Sequence, residues 1–307
     1  MQTSIIRRKN PGNRISNGSK VFDVIIIAVM IIVCAIVLIP FMRVIAISVS
    51  DPKAINKGMV SLLPVGFNLK SYEVILTDPV LWTYMRNTLA YTAVGTMVSV
   101  IFTALCAYPL SIPGFILKGP LTIFLTIPMF FSGGLIPTYI AIVGMGGVNS
   151  FWVMIFPGCV TAYNAFIYRS FFQSIPGEMR ESAYIDGAND MVIFVRIILP
   201  LSTALLATFG LFAAVQYWNL WFKAMIYLHD SSRYPIQMLL RRLIIVQQMT
   251  ISESGASNMV ELFDSGELTP RGTQMAAVMI VMLPILFVYP FAQKYFVKGV
   301  MIGSIKG

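Results

Sequence analysis

The sequence predicts an all-α, polytopic integral membrane protein with six transmembrane helices and both termini in the cytoplasm. Three observations carry that expectation. Of 307 residues, 57% are hydrophobic and only 11% are charged, against about a quarter charged in an ordinary soluble chain. The apolar residues gather in six runs, at 24–42, 88–112, 120–141, 151–168, 199–222 and 273–292, and none of the six holds an Asp, Glu, Lys, Arg or His. About 20 helical residues cross about 30 Å of hydrocarbon, so each run is close to a spanning length. Finally, the net charge of +9 is concentrated at the chain ends. Retention of basic segments on the cytoplasmic side explains that excess better than nucleic-acid binding does.

Taken in order, segment 1–22 carries Arg7, Arg8, Lys9, Arg14 and Lys20 with no acid before Asp23. It reads as a cytoplasmic basic segment. The transmembrane domain follows at 23–298, and its first run lies too deep and is too long for a cleaved signal peptide, so it is expected to stay. Two long external loops are expected at 43–87 and 223–272, where ten basic and eight acidic residues mix as on a solvated surface. The glycine-rich, uncharged stretch 143–150 is expected to be a tight external turn. The largest cytoplasmic excursion falls at 169–199. The tail at 299–307, with Lys294 and Lys298 just before it and Lys306 within it, has no acid and returns to the cytoplasm.

Several function classes lose support on composition. Proton relays and voltage sensors need ionisable groups at membrane depth, and the runs offer none. Ion coupling through broken-helix carbonyls stays open, because the third run holds Pro128, Gly133, Gly134 and Pro137; the alternative for these residues is a kinked packing helix. Cys34, Cys106 and Cys159 lie far apart inside runs, without the spacing of a metal site or disulfide framework. The single histidine, His229, falls in an external loop beside Asp230 and Ser231, which is adjacency in sequence and no triad. No catalytic residue and no metal ligand is expected. There is no G-x-x-x-x-G-K-[ST] sequence, so ATP would be hydrolysed by another subunit.

One internal segment has a specific pattern. From Ser174 to Pro200 the chain reads as two short helices around a glycine hinge. Ser174 suits a cap and Pro176 a first turn, with Glu178 and Glu181 near the positive helix end. Asp186 and Gly187 stop the first helix, since glycine takes positive φ without penalty. Asn189 or Asp190 caps the second, whose apolar face is expected along Met191, Val192, Val195 and Ile198. Ser182 and Ala183 are expected to leave a low surface for a partner's backbone.

These residues resemble the coupling-loop signature of binding-protein-dependent ABC importers: E-A-A, three residues, G, nine residues, I-x-L-P. Glu181, Ser182, Ala183, Gly187, Ile197, Leu199 and Pro200 fall in register, and only Ser182 departs, replacing an alanine. The resemblance covers nearly the whole chain and is strongest to carbohydrate-uptake permeases of the maltose-transporter type, in the polysaccharide-utilisation branch. It is carried by Phe131-Ser-Gly-Gly-Leu-Ile-Pro-Thr-Tyr139, by 164–176, by Tyr217-Trp-Asn219, by Tyr234-Pro-Ile-Gln237 and by the tail. Leu220 stands where many such permeases have an acid.

The resemblance implies a type I ABC importer permease fold in the bacterial plasma membrane. It implies partners as well: a second, different permease, two ATPases that bind ATP and Mg, and an extracytoplasmic sugar-binding lipoprotein. The permease binds no cofactor of its own. Glu181, Ser182, Ala183, Asp186, Gly187, Ile197, Leu199 and Pro200 would couple ATPase closure to the spans. The loop 227–271 would reach the docked binding protein. Saccharides are held by aromatic rings and planar polar groups, so Tyr163, Asn164, Gln216, Tyr217, Trp218 and Asn219 are candidates for the substrate pathway. Arg241 and Arg242 would suit an acidic sugar, but eight external acids offset them, leaving neutral against acidic open. The rival readings are a stand-alone ion-coupled transporter or channel and a membrane glycosyltransferase.

Overall fold

The computed structural model describes residues 17–246, 261–263 and 265–304. Among them helices dominate; one isolated bridge joins Ser50 to Phe67 and there is no β-strand. Helix α1 (Asn17–Ser48) is aliphatic on all sides, and its most apolar stretch is not buried by any other part of the chain. A helix apolar all round needs an apolar surrounding, which here the chain itself does not provide.

Short helices α2 (Pro52–Asn56) and α3 (Lys70–Thr77) occupy the segment that follows. Asp78 then accepts a hydrogen bond from the Val80 N–H at 2.9 Å, with Pro79 in the first turn, and starts α4 (Pro79–Ser111). The helix therefore begins nine residues before the apolar run at 88, because a side-chain cap and not hydropathy sets its start.

The third and fourth runs are not the continuous helices expected at 120–141 and 151–168. The third divides into α5 (Lys118–Phe130) and α6 (Leu135–Gly144), separated at Gly134, whose φ is +81°. Pro137 falls in the first turn of α6, where its missing N–H costs no helical bond. The fourth is a 3₁₀ turn (Trp152–Met154), a non-helical stretch through 161, and α7 (Ala162–Ser174). Pro157 and Gly158, at φ +79°, prevent a helix there. Their neighbourhood is not left unpaired. Tyr217 Oη donates to the Ile155 carbonyl at 2.9 Å, Ser99 Oγ to the Cys159 carbonyl at 2.6 Å, and Lys223 Nζ to the Pro157 carbonyl. Irregular backbone survives at membrane depth where protein groups satisfy it in this way.

Beyond α7 come α8 (Gly177–Ile185), α9 (Asp190–Ile193), a π-helical turn (Phe194–Ile198), α10 (Leu199–Leu201) and α11 (Thr203–Trp218). The chain bends by 80° between Asp190–Leu201 and Thr203–Trp218. Pro200 has no N–H for the helical ladder, which accounts for both the π turn and the bend. The apolar face expected at Met191, Val192, Val195 and Ile198 is replaced by Ile193, Phe194 and Ile198, because the π turn shifts the register; Met191 and Val195 are exposed. The run at 199–222 is thus helical only to Trp218. It is followed by α12 (Phe222–Tyr227), a 3₁₀ turn (Ser231–Arg233), α13 (Ile236–Val246) and α14 (Pro270–Ser304). Among the described residues three helices are long and apolar enough to cross a membrane, at Phe22–Ser48, Pro79–Ser111 and Pro270–Val288, and the bent pair counts as a fourth if it is taken as one span.

Helix α4 is the spine. Its 33 residues extend about 50 Å at about 1.5 Å each. Near its start, Leu81 and Tyr84 pack with Ile236, Leu239 and Ala277; in the middle Tyr91 joins Ala213 and Tyr217; near its end Ala104, Ala107 and Tyr108 meet Tyr168, Ala183 and Ile193. The first of these contacts is pinned by hydrogen bonds. The buried Thr88 Oγ1 accepts from the Ile236 N–H at 2.7 Å, satisfying an unpaired donor at the start of α13. Asn87 Nδ2 and Tyr91 Oη donate to carbonyls of Ser232 and Arg233 at 2.7 and 2.9 Å.

The crossing of α4 and α11 depends on Gly95, where a Cβ would lie 2.6 Å from the Tyr217 ring. Gly95→Ala is expected to destabilise the folded chain by about 1–3 kcal/mol through overpacking. Tyr217→Leu on that background should recover part of the monodisperse yield in detergent chromatography, whereas an unaltered Gly95→Ala profile would show that the crossing is loose.

Candidate functional site

The segment from α8 to α10 is built as a hairpin of short helices, and its turn chemistry is local. The Asp186 and Gly187 N–H groups donate to the Ser182 and Tyr184 carbonyls at 3.1 and 3.0 Å, and the Ala188 N–H reaches the Ala183 carbonyl at 2.9 Å. Gly187 has φ +80° and no heavy atom within 4 Å of where its Cβ would stand. Its requirement for glycine is therefore conformational, since nothing crowds it. Asn189 caps α9, its Oδ1 accepting from the Val192 N–H at 2.9 Å. Ser174 does not cap α8: its hydroxyl donates backward to Phe171 at 2.7 Å, and Pro176 holds the cap position without a side-chain bond.

Tyr184 ties the two helices, donating its phenol to the Asp190 carboxylate. That bond, with a smaller contribution from burial, holds the phenol proton and raises its pKa above 10.0. The neutral phenol is the form the hairpin favours, so this contribution is complete below pH 10 and fades only as pH rises through the raised value.

The side chains of the hairpin point two ways. Ala183 is buried in a cluster that also holds Tyr108 of α4, Phe172 of α7, Ile193 and Ile198. The expectation that Ala183 leaves a low surface for a partner is corrected: its methyl group is packed into this chain's own core. Ser182, Glu181, Asp186 and Gly187 are on the exposed side, as is Pro200, while Ile197 and Leu199 are half-buried against the same core. Sequence reasoning missed Ile185, which is 88% exposed at the tip, with Tyr184 and Met179 beside it. An aliphatic side chain just before the Asp186–Gly187 stop is the signal that could have found it. Beneath the hairpin lies a cavity of about 350 Å³, lined by Ser111, Lys118, Gln173, Gly177, Met179 and Arg180 among others. Both of its charged side chains are cations.

Of the six residues expected along a substrate path, Tyr217 and Trp218 are buried, and the Tyr217 hydroxyl is already committed to the Ile155 carbonyl. Tyr163 is exposed and Asn164 half-buried on the first turn of α7. Gln216 and Asn219 are exposed at the end of α11, where Asn219 Oδ1 accepts from Gln237 Nε2 at 3.1 Å. His229 is exposed, and among the described residues no group of His, Cys, Asp and Glu is arranged to hold a metal ion. Within the loop 227–271, residues 247–260 and 264, like the tail beyond 304, lie outside the described residues.

The sequence profile described as "Binding-protein-dependent transport system inner membrane component" matches residues 95–302, from the middle of α4 through the hairpin to α14. The chain belongs to that family. Its members are permease subunits and not themselves catalytic. A Bacillus subtilis polygalacturonan/rhamnogalacturonan transport system permease protein is 38% identical over 94% of this chain and 99% of its own length. The B. subtilis protein LplC is 37% identical over 95% and 97%. A bacterial ABC transporter that imports the acidic polysaccharide alginate contains a chain that superposes with a TM-score of 0.85 at 28% identity, over 92% of this chain and 98% of that one. The permease expectation and the mostly helical membrane architecture stand on these likenesses, together with the apolar helices.

The buried and the exposed residues of the hairpin predict different phenotypes. Ala183→Leu should lower the melting temperature and the folded yield, because about 1–3 kcal/mol of overpacking falls on the core around it. Gly187→Val should leave the chain inserted and folded while abolishing substrate-stimulated ATPase activity in the assembled complex. Full coupling in the Gly187→Val complex would remove Gly187 from the site.

Proposed function

We propose that this chain is the transmembrane permease subunit of an ATP-driven importer that moves an oligosaccharide, released by polysaccharide breakdown, by alternating access. The observation that carries the reading is the Gly187 hairpin: a capped two-helix unit, with Ala183 packed in the core and Glu181, Ser182 and Ile185 presented outward. An exposed aliphatic tip with acidic neighbours suits the groove of a partner ATPase. The relatives that transport polygalacturonan, rhamnogalacturonan or alginate support a saccharide as cargo.

In this reading the chain crosses the bacterial plasma membrane six times with both termini in the cytoplasm. The broken third and fourth runs then count as spans whose irregular backbone is satisfied internally. It pairs with a second, homologous permease, and α1 and the exposed apolar parts of α5 and α6 face that partner or lipid. Two ATPases bind two ATP with Mg and close, moving the hairpins. An extracytoplasmic lipoprotein delivers the sugar to the opposite side. Glu181, Ser182, Asp186 and Gly187 act in the coupling contact, and Ile197, Leu199 and Pro200 relay it into α11 through the bend.

Reconstitution decides between this reading and its rivals. In liposomes holding this chain, its partner permease, the ATPases and the loaded lipoprotein, oligosaccharide uptake should require ATP and persist when ion gradients are collapsed. Uptake by this chain alone, driven by an ion gradient, would reverse the assignment. Formation of a glycan from an activated sugar would make it a transferase.

A further inference from the structure

At the end of α4 far from the hairpin, three arginines lie close in sequence or space, and their surroundings differ. Arg233 pairs with Asp230 at 3.7 Å and donates to the Asn149 carbonyl. Arg242 is clamped between the rings of Tyr84 and Tyr234, 5.8 and 5.4 Å from their centroids. Arg241 is different. Its guanidinium lies 5.1 Å over the Trp221 ring and touches the Met225 sulfur, and among the described residues no carboxylate pairs with it.

Stacking on an aromatic ring uses the face of a guanidinium and leaves its in-plane N–H donors for other partners; Arg241 Nη1 donates to the Met225 sulfur, and Nε and Nη2 remain for a ligand. A guanidinium fixed in this way is pre-organised to take a carboxylate with two parallel bonds. Planar polar groups stand beside it. Gln237 is one helical turn before Arg241 on α13, and its Nε2 donates to Asn219 Oδ1 at 3.1 Å, leaving the Gln237 Oε1 and a further N–H unused. Trp221, two residues after Asn219, is 44% exposed and offers ring surface for stacking. The whole cluster is held in place by the Thr88 bond to the start of α13.

We infer that Arg241, Trp221, Gln237 and Asn219 form a subsite for a sugar carboxylate, so that the cargo is a uronate-containing saccharide; the inference rests on the importer reading above. Arg241 takes the carboxylate, the two amides take ring hydroxyls, and Trp221 takes the apolar face of the sugar. A neutral saccharide would meet the same ring and amides but leave the guanidinium without a partner.

The test is equilibrium binding of a galacturonate trisaccharide and of its methyl ester to the assembled, vanadate-trapped complex. Wild-type complex should bind the free acid more tightly than the ester. Arg241→Gln should weaken the acid about tenfold or more, leave the ester nearly unchanged and so remove the preference; Arg241→Lys should keep part of it. A preference that survives Arg241→Gln overturns the subsite, and so does a wild-type complex that binds acid and ester alike. Binding of neither compound by a complex that still imports a neutral sugar with ATP overturns the uronate inference and leaves the importer reading in place. No ATP-driven import of any sugar overturns the importer reading itself.

Discussion

The packing of the end of α4 against the hairpin segment, where the Tyr108 and Phe194 rings meet with centroids 4.9 Å apart, is the constraint on which the rest of the structure depends. Ala104 and Ala107 are buried to 1% and 0% exposure in the same apolar cluster as Ala183 and Ile193. Small side chains on α4 let α7 and α11 approach its backbone, and between membrane helices such packing replaces the missing hydrophobic drive. Because Ile193, Ile198 and Leu205 belong to the same cluster, the hairpin, the π turn and the start of α11 are one packed unit with the end of α4. Close-packed units of this kind shift between discrete arrangements and do not deform continuously.

A spine of about 50 Å makes that local unit relevant at a distance. The same helix holds Thr88 against the start of α13 and Gly95 against Tyr217. Tyr217 in turn supports the unwound stretch after the 3₁₀ turn by donating to Ile155. Thus the irregular backbone after the 3₁₀ turn is satisfied by groups anchored on, or packed against, α4. The arrangement ties the hairpin at one end of α4 to the cluster of arginine, tryptophan and amides at the other.

Much of this was legible in the residues. The apolar runs, the glycine stop at 187, the Asn189 cap and the coupling signature are local features, and local rules describe them. What escaped was set by local breaks that hydropathy averages over and by long-range contact. Hydropathy counts 151–168 as one span because Pro157 and Gly158 are too few to interrupt an average, yet they are enough to interrupt a helix. The face at Met191 and Val195 was misplaced because a 3.6-residue period does not contain the π turn that Pro200 imposes. Ala183 looked like a partner surface because nothing in its sequence neighbourhood reveals that the fold packs it into the core. Of the expected sugar-path residues, Tyr217 and Trp218 carry the right chemistry for stacking but are buried in packing, and only the fold distinguishes them from Trp221.

The central claim is that the hairpin and α4 move as one body when the partner ATPases close. Double electron–electron resonance between spin labels at Ile185, on the hairpin tip, and Val80, exposed at the far end of α4, measures it most directly in the assembled transporter. The account predicts one unchanged distance distribution in the nucleotide-free and ATP-trapped states, while either label shifts against a label on the partner permease. A distribution between positions 185 and 80 that changes with nucleotide would show that the hairpin swings free of the spine, and would contradict the account.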